Sequence, residues 1–558
     1  MFRTILFALC TLCLAAQRGR VPQPPKATPP DPEKLCTLEG KVVHAITGEP
    51  LRKARLTVVS PGGESRGPQA ATSDAEGKFR IVNVEPGRYL LSADRVGFVR
   101  SRYGGRTGSS AGTMLALEPG QSLTGMVVKL TPQGVILGSV LDEDGDPAPN
   151  VHVMVLRWRF QGGRRELTPA GGGQSNDIGE YRVANLSPGR YYLSATHRQG
   201  MFGETRGPRA APALEEAYAT VYYPGNLDPA GAAPIEVRAG AELRGMDIRL
   251  LKRRVVRVSG RIEGAGPRGR ITISLLPQGA GSTVWTGGRA ATSARPGGEF
   301  EIAGVIPGSY ILMAQGGDRE NSGYARQNIE VGESNLENVV VRFQPGMQVT
   351  GQFRFEGEQP VTRPPVRVTL LAAETGSMMA RPAGGAGAIR EDGTFTMSNV
   401  VGDRYRIEAY GLPAEAYIKS VRYGDQEAIE TGIDLTTGAG GVIEVIASMN
   451  AGRIDGTVLT ANQEPAGGAT VTLVPEENRR RQTGRYKMTT TDQTGAFTIR
   501  GVPPGDYKLF AWEEIETMAW QDPEFIKPFE PKSKAVTVRE RSRETVEVKV
   551  IPAEGERN

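Results

Sequence analysis

The sequence predicts an all-β chain of five tandem β-sandwich units in an elongated array. Three observations lead to this fold class. One cassette occurs five times, short alternating strands surround each copy, and the 558 residues include 72 Gly and 39 Pro. Many tight turns require such a composition. Helical periodicity, by contrast, is nearly absent, so strands are the expected elements.

Each cassette reads Gly-x-aromatic-x-apolar-x-x-apolar, then a turn, then Tyr-x-aliphatic-x-Ala. The aromatic anchors are Phe79, Tyr181, Phe300, Phe395 and Phe497, and the tyrosines are Tyr89, Tyr191, Tyr310, Tyr405 and Tyr507. The anchors recur at roughly 100-residue spacing, the size of a small domain and not of a solenoid repeat. Because Pro86-Gly87 has tight-turn chemistry, the cassette is predicted to be a β-hairpin with one buried face.

Supporting strands surround each cassette. The opening strand of each copy contains a glycine, at Gly40, Gly138, Gly260, Gly351 and Gly456. An alternating strand such as Val151–Val155 follows, and another such as Val546–Val550 closes the copy. Short strands separated by turn residues are typical of a sandwich.

The repeat divides the chain into segments, and we call the five sandwiches units 1 to 5. The predicted segments are a signal peptide at 1–16, a proline-rich linker at 17–35, units at 36–132, 133–253, 254–346, 347–450 and 451–552, and a tail at 553–558. Unit 2 carries a tyrosine-rich insertion, and unit 5 carries a short helical insertion.

The first residues predict export. A charged start at Met1–Arg3 precedes the apolar run Ile5–Ala16, which is too short to span a bilayer. We expect cleavage near Ala16 and a secreted, periplasmic or cell-surface protein. No later segment is apolar enough to predict a transmembrane anchor.

The cassette and its flanking strands resemble a known family. The pattern Asp-x-x-Gly-x-Phe-x-Ile-x-x-Val-x-Pro-Gly-x-Tyr-x-Leu-x-Ala is similar to that of the carboxypeptidase regulatory-like domain, over about 36–552 and most closely in units 1, 2 and 5. The resemblance implies a seven-stranded, transthyretin-like (immunoglobulin-like) sandwich. B-type adhesin repeats have a similar general architecture. It implies little about function, because one fold hosts many sites.

The composition argues against catalysis. A zinc carboxypeptidase needs two His and a Glu on the metal, yet the histidines are only His44, His152 and His197, far apart in sequence. A Ser-His-Asp triad meets the same shortage. We therefore expect no enzyme activity and no cofactor. The net charge of +5 is scattered, and the cluster Arg157–Arg165 predicts a solvated loop and not a nucleic-acid interface.

One acidic segment is a candidate calcium site. Asp142, Asp144 and Asp146 surround Gly145 and could offer several oxygen ligands to a hard cation. No Glu completes an EF-hand loop, since Val153 occupies that position. Turn chemistry explains the same residues, and both interpretations remain open here.

Aromatic residues outside the cassette are the candidate ligand-binding residues. They are Tyr218, Tyr222 and Tyr223 with Asn226 and Asp228 in unit 2, and Trp512 and Trp520 in unit 5. Exposed aromatic platforms beside amides or carboxylates suit sugars. The alternative is that these rings plug an open sandwich end or pack against a neighbouring unit.

These observations predict a non-catalytic, secreted or envelope-located interaction scaffold, whose partner is an extracellular or envelope protein or a polysaccharide. One alternative is a carbohydrate-binding protein that uses the insertions of units 2 and 5. Another is an accessory subunit of a separate secreted hydrolase. The ligand, the oligomeric state, the interdomain angles and the choice between periplasm and exterior are left open.

Overall fold

A computed structural model describes residues 32–60, 69–105, 112–161, 164–197, 216–264, 270–278, 291–317, 322–357, 364–372 and 386–553. The predicted signal peptide lies outside these residues, as do most of the linker and of the tail. Among the described residues, no helix is long and apolar enough to cross a membrane.

Unit 1 shows the arrangement that the other units vary. Its strands are β1 (Cys36–His44), β2 (Arg55–Val59), β3 (Gln69–Thr72), β4 (Lys78–Val84), β5 (Gly87–Asp94), β6 (Ser101–Arg102), β7 (Leu115–Leu117) and β8 (Ser122–Leu130). One sheet has the order β4-β1-β8, and the other has the order β3-β2-β5-β6, with β7 also on β5. The two sheets enclose a core that includes Leu38, Leu56 and the buried Cys36.

Unit 2 has longer central strands than unit 1, and its second half is divided among more short strands. Its strands are β9 (Gly134–Leu141), β10 (Val151–Gln161), β11 (Arg164–Gln174), β12 (Glu180–Leu186), β13 (Gly189–His197), β14 (Glu216–Tyr218), β15 (Val221–Tyr222), β16 (Ile235–Val237), β17 (Glu242–Leu243) and β18 (Ile248–Arg249). Strand β19 (Lys252–Arg254) pairs with β14, and a 3-10 turn spans Pro229–Gly231. One sheet contains β12, β9, β17 and β18, and the other contains β11, β10, β13, β15 and β16.

Unit 3 has the simplest strand arrangement, with two sheets of linear strand order. Its strands are β20 (Val256–Glu263), β21 (Arg270–Pro277), β22 (Ala291–Ser293), β23 (Glu299–Val305), β24 (Gly308–Gly317), β25 (Gly323–Val331), β26 (Leu336–Arg342) and β27 (Gln344–Pro345). The sheets have the orders β23-β20-β26 and β22-β21-β24-β25-β27.

Unit 4 places one strand in the opposite sheet. Its strands are β28 (Met347–Glu356), β29 (Arg367–Ala372), β30 (Ala386–Ala388), β31 (Thr394–Val400), β32 (Arg404–Tyr410), β33 (Tyr417–Tyr423), β34 (Gln426–Glu427), β35 (Ile433–Asp434) and β36 (Ile443–Ser448). The strand after the cassette, β33, pairs with β36, whereas its counterpart β25 in unit 3 pairs with the cassette strand β24.

Unit 5 joins its two sheets through the closing strand. Its strands are β37 (Gly452–Leu459), β38 (Thr470–Pro475), β39 (Lys487–Thr490), β40 (Ala496–Val502), β41 (Gly505–Trp512), β42 (Lys534–Val538) and β43 (Arg543–Ile551). The insertion between β41 and β42 forms 3-10 turns at Ala519–Gln521 and Lys527–Lys532 around the one-turn helix α1 (Pro523–Ile526). Further 3-10 turns lie at Pro32–Lys34, Glu477–Arg479 and Thr483–Arg485.

The prediction that the cassette is a hairpin is wrong. In unit 1 its two strands join different sheets, because β4 pairs with β1 while β5 pairs with β2. The same separation occurs in every unit. The Pro-Gly corner therefore carries the chain across the sandwich, so Phe79 and Tyr89 enter one core from opposite sides. Turn chemistry fixes the reversal of the chain but not the strand with which each arm pairs.

Two recurring backbone positions shape this crossover. The glycine of the opening strand gives close approach: a Cβ at Gly40 would collide with the Met126 carbonyl of β8. Four residues after each anchor the backbone adopts a positive φ, at Asn83, Asn185, Gly304, Asn399 and Gly501. Asn and Gly tolerate this left-handed conformation best. The register of each crossover strand shifts near this point.

The cassette tyrosine closes the corner with its hydroxyl. Tyr507 Oη donates to the Pro503 carbonyl oxygen at 2.7 Å, four residues earlier. Tyr191, Tyr310 and Tyr405 make the equivalent bond to Ser187, Ile306 and Val401. The ring thus fills the core while its polar end satisfies a turn carbonyl, which explains why tyrosine occupies this position.

The main core of each predicted unit is a separate hydrophobic cluster, with no member from another unit among the described residues. The opening and closing strands of each unit run parallel and adjacent, as β1 and β8 do. The all-β class is confirmed.

The predicted elongated array is not what the structure shows. Unit 5 contacts unit 1 through the bridge between Met114 and Asp492, and it contacts unit 2 through Phe160 and Phe525. It also contacts unit 4, where Lys419 Nζ lies 3.5 Å from Glu540 Oε1. In a linear array unit 5 would touch unit 4 alone. Contacts between units far apart in sequence leave no periodic signal, so the sequence could not reveal them.

Candidate functional site

The insertion of unit 5 builds a second apolar cluster on the outer face of its sheet. Trp512 is 2% exposed and stacks on Phe510, with ring centroids 5.5 Å apart. The insertion covers these rings with Trp520, Phe525 and Phe529. Trp512 Nε1 donates to Thr472 Oγ1 at 2.9 Å, so its polar edge is satisfied inside the cluster. Trp512 and Trp520 are therefore buried and do not form an exposed platform.

Unit 2 has a corresponding outer cluster. Tyr222 is 1% exposed and packs with Leu156 and Leu167, while Trp158 and Tyr192 lie half-buried at its edge. The Tyr222 hydroxyl has no hydrogen-bond partner among the described residues, and burial raises the pKa of Tyr222 to about 12. Its neighbour Tyr223 instead packs against the main core of unit 2. The structure thus sends these two predicted ligand residues to opposite faces of one sheet.

The two outer clusters meet at a contact that we call the seam, formed by Phe160, Phe525, Glu516 and three arginines, Arg157, Arg159 and Arg165. The Phe160 and Phe525 rings are 5.6 Å apart at 63°. Glu516 Oε1 is buried without a hydrogen-bond partner among the described residues. Burial raises the pKa of Glu516, and the three guanidinium groups act in the opposite direction. The seam is therefore a partly desolvated contact between an acidic insertion and a basic strand.

Strand β10 carries the unit 2 side of the seam. It alternates arginine with aromatic residues, and the Arg165 guanidinium lies 5.8 Å from the centre of the Trp158 ring. Trp158 also meets Tyr192 edge-on at 6.4 Å. The expectation that Arg157–Arg165 is a solvated loop is wrong for the described part of this segment. Its two-residue alternation, visible in the sequence, is the signal that would have identified a strand.

Tyr218 packs against the main core of unit 2 and belongs to an ion-pair cluster within that unit. Its hydroxyl donates to Glu143 Oε2 at 2.6 Å, and the Lys252 ammonium binds the other carboxylate oxygen. These hydrogen bonds hold the pKa of Glu143 at about 2. Burial, followed by the Glu143 carboxylate, raises the pKa of Tyr218 to about 12. Tyr218 is thus engaged in a structural ion-pair network.

The remaining predicted residues form turns. Asn226 Nδ2 donates to the Gly231 carbonyl at 2.6 Å, and Asp228 caps the adjacent 3-10 turn by accepting from Ala230 N at 2.8 Å. In the calcium candidate, Asp142 Oδ1 accepts backbone N–H bonds from Asp144 and Asp146. No group of three or more His, Cys, Asp or Glu residues in the described part of the chain is arranged to hold a metal ion.

Comparison with known proteins identifies the module at both ends of the chain. The family described as the carboxypeptidase regulatory-like domain matches residues 37–131 and 453–550. These ranges correspond to units 1 and 5. No curated protein matches the chain.

Solved structures give distant matches. A streptococcal ancillary pilin aligns at 12% identity with a TM-score of 0.19, covering 56% of this chain and 100% of the pilin. The major pilin RrgB of Streptococcus pneumoniae aligns at 9% identity with a TM-score of 0.15, covering 93% and 100%. The Bacillus anthracis TIE protein aligns at 12% identity with a TM-score of 0.16, covering 56% of this chain and only 51% of that protein.

Superpositions this weak do not inform the function of the chain. The family match is the stronger finding because it covers each end unit almost from its opening strand to its closing strand. The chain therefore contains two carboxypeptidase regulatory-like domains, unit 1 and unit 5.

Proposed function

We propose that the protein is a non-catalytic interaction scaffold of the cell exterior or envelope, and that its partner is an extracellular or envelope protein or a polysaccharide. The burial of the aromatic residues that depart from the cassette supports this proposal most. Trp512, Trp520 and Tyr222 are at most 5% exposed, and they pack insertions onto sheets near the seam. These residues therefore stabilise the units themselves, and the adjacent rings of Phe160 and Phe525 join unit 2 to unit 5, as a scaffold requires.

Polar contacts between units 4 and 5 support the same conclusion. Thr483 Oγ1 donates to Glu408 Oε1 at 2.9 Å, and Gln482 Nε2 donates to Glu430 Oε1 at 2.7 Å. Each such hydrogen bond contributes only modestly to stability. Together with the seam they limit the relative orientations of the units, so that surfaces from several units can be presented at once.

Location and partner class can be tested together. A carboxy-terminally tagged chain should leave the cytoplasm and appear in the envelope or medium fraction, as the apolar run Ile5–Ala16 predicts. The purified chain should then bind washed cells or envelope fractions in a saturable manner. Retention in the cytoplasm would contradict the proposed location, and absence of saturable binding would contradict the scaffold function.

Carbohydrate binding is a second candidate, and it now depends on a different residue. Trp158 is half-buried beside Tyr192 and Arg165, so part of its ring is available to stack on a sugar. On a glycan array, Trp158→Ala should lose any signal of the wild type while the melting temperature is retained. Tyr410→Ala, at an aromatic position in unit 4 that is 48% exposed, is the matched control outside this surface. The absence of wild-type binding to any glycan would remove the candidate.

An accessory role beside a separate secreted hydrolase is a further proposal. It predicts that the chain raises the activity of a co-secreted hydrolase on an insoluble substrate. Equal activity with and without the chain would contradict it.

A further inference from the structure

We infer that unit 5 acts as an intramolecular clasp. It docks onto a surface formed by the edge of β7 in unit 1 and the Phe160 end of β10 in unit 2. The partner of that surface is the chain's own fifth unit. This inference goes beyond the scaffold function, because it concerns how the units are closed on one another and not what they bind.

Unit 5 recognises the backbone of unit 1 with one side chain. Gln493 Oε1 accepts from Ala116 N at 3.3 Å, and Gln493 Nε2 donates to the Ala116 carbonyl at 3.1 Å. A primary amide that satisfies both backbone groups of one residue imitates a neighbouring strand. Strand β7 is short and pairs with β5, so the amide caps backbone groups at its other edge.

Backbone contacts extend this recognition. Met114 N donates to the Thr491 carbonyl at 3.3 Å, next to the parallel bridge between Met114 and Asp492. The approach is close: a Cβ on Gly468 would lie 2.7 Å from Thr113 Oγ1 and 2.9 Å from the Gly104 carbonyl oxygen. Thr113 is 5% exposed. The fit therefore depends on a glycine at this point of unit 5.

The seam supplies a second, apolar point of attachment. Phe160 belongs to unit 2 and Phe525 to unit 5. The arginines of unit 2 also attract the Glu516 carboxylate of unit 5. Two attachment points on two different units restrain both translation and rotation of unit 5. Because covalent linkage through units 3 and 4 keeps unit 5 nearby, a small interface of modest intrinsic affinity can stay closed.

Turn sequences distinguish unit 5 from its siblings. The position four residues before each anchor is Gln493 in unit 5, but it is Ala75, Asp177, Pro296 and Glu391 in units 1 to 4. Of these five residues only glutamine offers both a donor and an acceptor on one side chain. The clasp is therefore specific to unit 5 and is not a general property of the repeat.

The test compares full-length variants by hydrogen exchange and small-angle X-ray scattering. In the wild type, the Ala116 and Met114 amides should be protected, since both donate to unit 5. Gln493→Ala combined with Phe525→Ala should accelerate exchange in residues 112–117. It should also raise the radius of gyration by roughly a fifth or more above the compact value expected for this length, about 24 Å. Asp177→Ala, at the same turn position of unit 2, is the matched control and should change neither quantity.

Two further arms keep the inference falsifiable. Gln493→Glu preserves side-chain shape but places a carboxylate against the Ala116 carbonyl, so it should open the unit 1 contact even if the double variant misfolds. Unchanged exchange of residues 112–117 in a folded Gln493→Glu chain would overturn the clasp, whatever the scattering, because the seam still attaches unit 5 to unit 2 in this variant. A wild-type dimer that dissociates on dilution, and that Gln493→Glu abolishes, would also overturn it, because the partner would then be a second copy.

Discussion

Units 1, 2 and 5 differ from units 3 and 4 at one position of the shared framework, which is buried in the first group and half-buried in the second. Six residues before the anchor, the first group has Ser73, Ser175 and Thr491, whereas units 3 and 4 have Ala294 and Ile389. In unit 5, Thr491 Oγ1 donates to the Ala466 carbonyl at 2.6 Å and accepts from Ala469 N at 2.9 Å. Ser73 and Ser175 make the same pair of bonds.

The comparison shows that the same fold fixes the start of its second strand in two different ways. A buried hydroxyl ties that strand to the cassette turn in the first group, and an apolar side chain occupies the position in the second. Units 1 and 5, which match the family, both use the hydroxyl. The family resemblance of the sequence is also closest in units 1, 2 and 5, which are the units that carry the hydroxyl.

The largest expected effect concerns the outer cluster of unit 5, which has no counterpart among the described residues of unit 3. Trp520→Ala should destabilise unit 5 by about 3–5 kcal/mol, because it empties a site lined by Trp512 and Ile526. Hydrogen exchange of peptides from unit 5 measures this loss, and Val96→Ala at a position 99% exposed is the control. Retained protection throughout unit 5 would show that the insertion is not a structural cover.

The buried hydroxyl gives the next effect. Thr491→Val keeps the shape but leaves the Ala466 carbonyl and the Ala469 N–H without this partner, at a cost of about 1–3 kcal/mol. Ala294→Ser, the reciprocal change in unit 3, should alter stability less, since no bond there depends on a hydroxyl. Denaturant unfolding followed unit by unit would separate them. Equal effects would erase the distinction between the two groups of units.

Acid should weaken unit 5 through Asp455, whose position is Ser259 in unit 3 and Thr350 in unit 4. Burial raises the pKa of this carboxyl, but hydrogen bonds from Arg453, Thr498 and Arg543 outweigh it and hold the value at about 2. A depressed folded-state pKa means that the stabilisation is complete above the unfolded value of 3.8 and is lost as pH falls towards about 2.

The expected loss is about 2 kcal/mol for a shift of this size. Asp455→Asn should remove this part of the acid dependence, as measured by melting temperatures of unit 5 between about pH 4 and about pH 2. A variant with the same acid profile as the wild type would show that other carboxylates control the transition.

The smallest effect is expected in the outer cluster of unit 2. Tyr222→Phe deletes a buried hydroxyl that has no hydrogen-bond partner among the described residues, so stability should stay the same or rise by about 1 kcal/mol. A clear loss of stability would instead reveal a partner for that hydroxyl, such as a bound water. Calorimetry of the full chain would show whether this substitution raises or lowers the free energy of unfolding.

Sequence periodicity predicted the strands and the residues of the cores well. Alternation identifies the buried side of a strand, so Phe79, Leu91 and their equivalents could be assigned to cores from the pattern alone. The positive φ at Asn83 and Asn185 was also within reach, because Asn or Gly recurs at that position in every copy.

Pairing partners and contacts between units could not be predicted in this way. A Pro-Gly corner can either close a hairpin or cross a sandwich, since the choice depends on strands distant in sequence. Burial of Trp512 and Trp520 was equally hidden, because an aromatic residue that covers a sheet and one that faces solvent look alike in sequence. The binding role of the candidate residues stays a prediction, now redirected towards Trp158.

The parallel pairing of the first and last strands in each unit bears on how the protein is made. Strand β37 pairs with β43, whose residues leave the ribosome roughly 90 positions later. The sheet that contains β37 is therefore incomplete until β43 has emerged. Every unit is thus expected to stay open until its final segment has emerged. If the chain is exported, as we propose, this delay would keep the nascent polypeptide open enough to pass through a translocation channel.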